Sequence, residues 1–177
     1  KEDKKVRYIE YLKKELNILK NHLNTNRTVT QMHFGGGTPT FFSPEQLEEV
    51  ISAVKEVFPN FASDAEVSCE VDPRYFTVEH MQVLKKGGCN RLSFGVQDLD
   101  EEVQKTIHRI QPFELTQNVI KIARDAGIHS VNTDLIYGLP LQTRESFKRT
   151  LEKMLTLNTD RFAVFNYAHV PWLMKTM

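Results

Sequence analysis

The chain alternates short apolar runs with longer stretches of helical spacing. Val6, Ile9, Leu12, Leu16, Leu19 and Leu23 recur every three or four residues, and Asn24-Thr25-Asn26 closes that helix. A strand over residues 29–34 then stops in Gly35-Gly36-Gly37-Thr38-Pro39. Ser43-Pro44-Glu45-Gln46 starts the next helix with an N-cap serine, a proline at the first helical position and a glutamine three residues after the cap. Leu47, Val50, Ile51, Val54 and Val57 carry it to Pro59. The same rhythm predicts a strand over 65–71, a helix over 78–86 stopped by Gly87-Gly88, and a strand over 90–96. A short helix over 101–107, a longer one over 113–126, a strand over 130–137, a helix over 143–157 and a strand over 161–167 complete the pattern.

Strands and helices in this order imply right-handed crossovers and a parallel sheet, either a barrel or a doubly wound sheet. Alternation within the strands separates the two. Val67, Cys69 and Val71 share one face and Glu66, Ser68 and Glu70 the other; Leu92, Phe94 and Val96 oppose Arg91, Ser93, Gly95 and Gln97. Val131, Thr133 and Leu135 oppose Asn132, Asp134 and Ile136 in the same way. A doubly wound sheet is covered by helices on both faces, and both should be apolar. A barrel packs only its outer face on helices and can turn polar residues inward near the carboxyl-end mouth. The pattern favours the barrel and nominates Glu70, Gln97 and Asp134 as mouth residues; capping groups bonded to backbone amides are the alternative. Five strands are fewer than the eight of a closed barrel, so the expectation is one domain over 1–177 that forms an internal piece of a larger barrel.

Composition narrows the chemistry. Twenty-three basic and 23 acidic side chains cancel, leaving no electrostatic footprint for nucleic acid or an acidic membrane surface. No apolar run approaches the roughly 20 residues of a membrane span. Cys69 and Cys89 have no metal-ligand spacing and no disulfide pattern, which fits a reducing cytoplasm. The glycine loop after a strand suits a polar small molecule. A βα turn that binds nothing would read the same way.

Five stretches carry a resemblance: His33-Phe34-Gly35-Gly36-Gly37-Thr38-Pro39-Thr40, Glu70-Val71-Asp72-Pro73-Arg74, Asn90-Arg91-Leu92-Ser93-Phe94-Gly95-Val96-Gln97-Asp98, Asp134-Leu135-Ile136-Tyr137-Gly138-Leu139-Pro140 with Gln142-Thr143, and Phe165-Asn166-Tyr167-Ala168-His169-Val170-Pro171. In order and spacing they resemble motifs of the oxygen-independent coproporphyrinogen III oxidases, which are radical S-adenosylmethionine (SAM) enzymes of haem biosynthesis. Haem-chaperone-like relatives share the glycine and Asp-Leu-Ile-Tyr-Gly-Leu-Pro motifs. They differ at Asp72-Pro73-Arg74, at Gln97-Asp98 and at the Asn-Tyr-Ala-His run. These differences favour the oxidases; a non-catalytic relative that binds haem or SAM is the alternative reading. An aldolase-type lyase using Lys85 or Lys86 as Schiff-base donor is a third.

The resemblance implies a partial (β/α) TIM-like barrel of the radical SAM type, open on one side. It also implies oxidative decarboxylation of two propionates of coproporphyrinogen III to vinyls, through a SAM-derived 5′-deoxyadenosyl radical made at a [4Fe–4S] cluster. SAM-binding positions carry over to Gly36, Gly37, Thr38, Glu70, Gln97, Arg109, Asp134 and Ala168, divided between two SAM molecules. Carboxylates suit an ammonium or ribose hydroxyls, and an arginine fork suits a carboxylate. The family's Cys-x3-Cys-x2-Cys cluster loop is absent, so that loop, the first strand and a carboxyl-terminal domain are expected outside this chain. The chain alone is then expected not to catalyse the reaction. The implied partners are coproporphyrinogen III and an external electron donor, with no nucleic acid or membrane, in a cytoplasmic protein that is monomeric at full length. Self-association of the piece through open sheet edges is a further expectation.

Overall fold

A computed structural model describes residues 2–168; His169, Val170 and Pro171, the end of the last motif, lie outside them. In chain order the elements are α1 (Glu2–His22), β1 (Val29–Phe34), α2 (Pro44–Val57), β2 (Phe61–Val71), α3 (Val78–Lys86) and β3 (Arg91–Gln97). Then come α4 (Glu101–Thr106), α5 (Phe113–Asp125), β4 (Ser130–Tyr137), α6 (Arg144–Leu155) and β5 (Arg161–Asn166). Single 3-10 turns at Pro39–Phe41 and Pro73–Tyr75 follow β1 and β2. The expected Ser43 cap forms a full capping box with Gln46, and Thr143 forms another with Ser146.

All five strands are parallel and lie in the order β1-β2-β3-β4-β5. Sequential order with right-handed crossovers puts every helix on the same face. The sheet curls into a half-barrel with helices outside, as the alternation predicts. β2 starts four residues before the expected position, at Phe61, because Val29 pairs with Phe61 at the head of β1. Ser63 and Asp64, poor strand formers, hid that extension.

The outer face of the sheet builds the core. Leu92, Phe94, Val131, Thr133 and Leu135 have no solvent exposure. Leu47 and Ile51 of α2, Met81 and Leu84 of α3, Val119 and Ala123 of α5 and Met154 of α6 pack on that face. Phe94 meets Phe76 edge to face at 5.8 Å.

A second buried cluster is polar. Asp98, fully buried, follows β3 and accepts hydrogen bonds from the Asp100 amide, the Thr150 hydroxyl of α6 and the Gln142 amide group. Gln142 also donates to the Ile136 carbonyl and accepts from the Gly138 amide. One carboxylate thus joins the loops that leave β3 and β4 to the N-cap of α4 and the middle of α6.

Phe94→Ala is expected to cost about 3–5 kcal/mol of stability, the range for deleting a fully buried aromatic ring. Denaturant unfolding measures it directly.

Candidate functional site

The carboxyl ends of the strands converge on a polar cleft of about 150 Å³ lined by Gly37, Thr38, Glu70, Asp72, Ser93, Gly95, Gln97, Arg109 and Asp134. Below it, on the inner face, lies a trough of about 430 Å³ that shares Glu70, Ser93 and Asp134 and adds His33, Ser68, Arg91 and Asn132. Gly36 joins the cleft through its amide, which donates to Glu70 Oε2 at 3.2 Å. Seven of the eight expected positions therefore meet at one place. Ala168, exposed, follows β5 and is not among the cleft-lining residues.

Each side chain is aimed by a local device. Gly36 has φ +85°, a left-handed conformation that glycine adopts without strain. A Cβ on Gly35 would sit 2.4 Å from His33 Nε2 and 2.9 Å from the Glu70 carboxyl, so the missing side chain makes room for both. At the end of β3 the register slips between Gly95 and Gln97. Gln97 has φ 69°, and the Asp98 amide donates to the Val96 carbonyl at 2.9 Å, closing a γ-turn around it. Strain of this kind persists only where the surroundings enforce it. The buried Asp98 cluster supplies that enforcement.

Arg109 owes its place to the end of α4. The Arg109 amide donates to the Gln104 carbonyl and the His108 amide to the Lys105 carbonyl, with His108 at φ 52°. This is a Schellman reversal with histidine where glycine is usual. It turns the chain back over β3. Arg109 Nη2 donates to the Gly95 carbonyl at 2.8 Å, and Nη1 pairs with Asp72 Oδ2 at 3.1 Å. A Cβ on Gly95 would stand 3.2 Å from Arg109 Nη2 and 3.0 Å from Gln97 Nε2. Arg109 Nε is buried without a hydrogen-bond partner.

The carboxylates differ in character. Burial alone would raise the Asp72 carboxyl, but hydrogen bonds from the Arg74 side chain and amide and the charge of Arg109 outweigh it and hold it below its ordinary value. Asp134 goes the other way. Burial pushes its carboxyl up and the Glu70 charge adds to this, while hydrogen bonds from Ser93 and Asn132 offset only part. Ser93 Oγ lies 3.0 Å from both Asp134 oxygens, and Asn132 Nδ2 donates to Oδ1 at 2.7 Å.

Sequence reasoning missed Asp72, Ser93, Asn132 and Gly95 as parts of this site. It also left out His33, which is exposed, hydrogen-bonds Ser68 at 2.8 Å and lies 3.5 Å from Glu70. Its place on the polar face of β1, one residue before the carboxyl end, was the available signal. Lys85 donates to the Gly127 carbonyl on the helix layer, and Glu48 raises the pKa of Lys86, the reverse of what a Schiff-base lysine needs. Cys69 and Cys89 are buried, and burial pushes both thiols up, Cys89 to about 11. Among the described residues no group of His, Cys, Asp and Glu could hold a metal ion, and no helix is long and apolar enough to cross a membrane.

Comparison with known proteins gives the geometry a context. Residues 2–154 match the family model of the radical SAM superfamily. The chain is 68% identical over 176 residues to the oxygen-independent coproporphyrinogen III oxidase of Helicobacter pylori strain J99, covering 99% of this chain and 38% of that one. It is 46% identical over 168 residues to an anaerobic coproporphyrinogen III oxidase of Cereibacter sphaeroides, covering 95% and 37%. The chain thus spans less than two fifths of these relatives. The solved coproporphyrinogen III oxidase (HemN) of Escherichia coli, described as a radical SAM enzyme, superposes with a TM-score of 0.92 at 42% identity, over 98% of this chain and 39% of that one. Methylornithine synthase shares the fold alone, with a TM-score of 0.62 at 19% identity over 90% of this chain and 44% of that one.

The raised Asp134 carboxyl has a consequence for stability. Its contribution is full below the unfolded value of 3.8 and is lost as pH rises through the raised folded value. Asp134→Asn is expected to melt higher than the parent at about pH 7 and to converge with it near pH 3. Thermal unfolding across that range gives the comparison.

Proposed function

The chain belongs to the radical SAM superfamily, and on that premise we propose that the cleft binds SAM and that the whole protein converts coproporphyrinogen III to protoporphyrinogen IX in haem biosynthesis. The substrate assignment is supported by the coproporphyrinogen III oxidases to which the chain is similar. One observation carries the cofactor assignment: Glu70 and Asp134 line the same glycine-edged cleft as the Arg109 guanidinium. SAM is a zwitterion with an ammonium, a carboxylate and ribose hydroxyls, and this donor set fits all three.

In this reading Glu70 accepts from the ammonium, beside the backbone of Gly36 and Gly37. Asp134, fixed by Ser93 and Asn132, accepts from hydroxyls. Arg109 meets the carboxylate, and Thr38 and Gln97 complete the polar wall. Ala168 offers only backbone, and the reading divides the eight residues between two SAM molecules. Bound SAM, once reduced, supplies the hydrogen-atom abstraction that the oxidation of a propionate side chain requires. The residues of this chain bind it, orient it and set the charge around it.

The [4Fe–4S] cluster that reduces SAM does not fit the thiols present. Cluster ligands are thiolates, whereas Cys69 and Cys89 are buried with raised thiol pKa values. The proposal therefore takes the cluster cysteines, and the remaining strand and domain of the barrel, from outside this chain. It includes an external electron donor and a monomeric, cytoplasmic full-length protein.

Titration calorimetry is expected to show SAM binding. Gly95→Ala, which displaces Gln97 and Arg109, should weaken it by about tenfold or more, the size of one lost charged hydrogen bond. The full-length protein, reduced and anaerobic with SAM, is expected to form vinyl groups from coproporphyrinogen III. Haem binding without vinyl formation would instead favour a chaperone-like relative.

A further inference from the structure

We propose that Asp72 is a positioning residue, holding Arg109 so that its guanidinium presents a fixed face to the carboxylate of the bound amino-acid moiety. The inference deepens the SAM reading and rests on it. Asp72 follows the last residue of β2 and is 4% exposed. Oδ1 accepts from the Arg74 amide and Nε, each at 3.0 Å, while Oδ2 accepts from Arg74 Nη2 at 2.7 Å and forms an ion pair with Arg109 Nη1 at 3.1 Å.

Charge counting separates this from an ordinary structural ion pair. Arg74 alone neutralises Asp72 and supplies its three hydrogen-bond donors. Arg109 is then a second cation on a single carboxylate, and the Asp72, Arg74 and Arg109 group carries one uncompensated positive charge beside the cleft. A long side chain with five N–H donors would ordinarily sample many rotamers. Here the Gly95 carbonyl anchors one terminal nitrogen and Asp72 the other. The space for this comes from Gly95, whose missing side chain lets Nη2 lie against the strand. Both Asp72 and Arg109 line the cleft, and each terminal nitrogen of Arg109 carries a second N–H beyond the one directed at its anchor. A fork held at two points and carrying spare charge is arranged to receive an anionic group.

The test compares two ligands on two proteins. SAM and decarboxylated SAM, which lacks only the carboxylate, are titrated into the parent and into Asp72→Asn. Loss of the anchor is expected to weaken SAM by about tenfold or more and to leave decarboxylated SAM within about twofold. Equal weakening of both ligands would mean that Asp72 only supports the fold, and unchanged SAM affinity would mean that Arg109 needs no anchor; either overturns the inference while the SAM reading stands. A parent that binds neither ligand overturns both. Should Asp72→Asn fail to fold, Asp72→Glu keeps the charge but moves the anchor, and the same three outcomes apply to it.

Discussion

A single buried carboxylate holds the mouth of this half-barrel in shape. Asp98 sits where β3 ends, and leaving it unpaired in a water-free interior would be prohibitive. Its partners come from its own loop, from the loop after β4 and from α6. Satisfying the charge therefore fixes three segments at once. Gln97, one residue earlier, is held in a left-handed turn, and Gly138, at the end of β4, is tied back through Gln142. Strand ends are where a parallel barrel keeps its chemistry, and here their geometry depends on a group that never meets solvent.

The one-sided helix layer explains why so much charge gathers on the other side. With every crossover outside, the inner face has no helix to cover it, so carboxylates and guanidinia stand there at the cost of partial burial alone. Asp72 and Asp134 then diverge through their neighbours. Asp72 lies among cations and stays ionised readily, whereas Asp134 faces Glu70 and resists ionisation. The cleft thus holds one carboxylate whose charge is supported by guanidinium groups and another whose charge is disfavoured by burial and by Glu70.

Most of the fold was legible because its signals are local. Apolar spacing gave the helices, alternation gave the two faces, and Ser43 marked a helix start that the structure reproduces. Alternation also reached Glu70, Gln97 and Asp134, which lie within strands. It could not reach Asp72 or Asp98, each one residue beyond a strand, where period two has no meaning. Arg109 lies fourteen residues beyond Gly95, the residue whose carbonyl it caps, and only a helix-ending reversal brings them together. Family resemblance found Arg109; no periodicity could have. Gly95 was visible as a member of the polar face, but its use as a space for two side chains belongs to the third dimension.

The order of the strands has a consequence for how the molecule is made. Each strand pairs only with its neighbours in sequence, from β1 through to β5. No later strand has to cross back to the far edge of the sheet, as happens at the switch point of a doubly wound one. Contacts of short sequence separation close quickly, and loop entropy is spent in small instalments. A chain emerging from the ribosome at about 5–20 residues per second can thus add each βα unit to an edge that already exists, so the half-barrel grows by accretion in the order of synthesis.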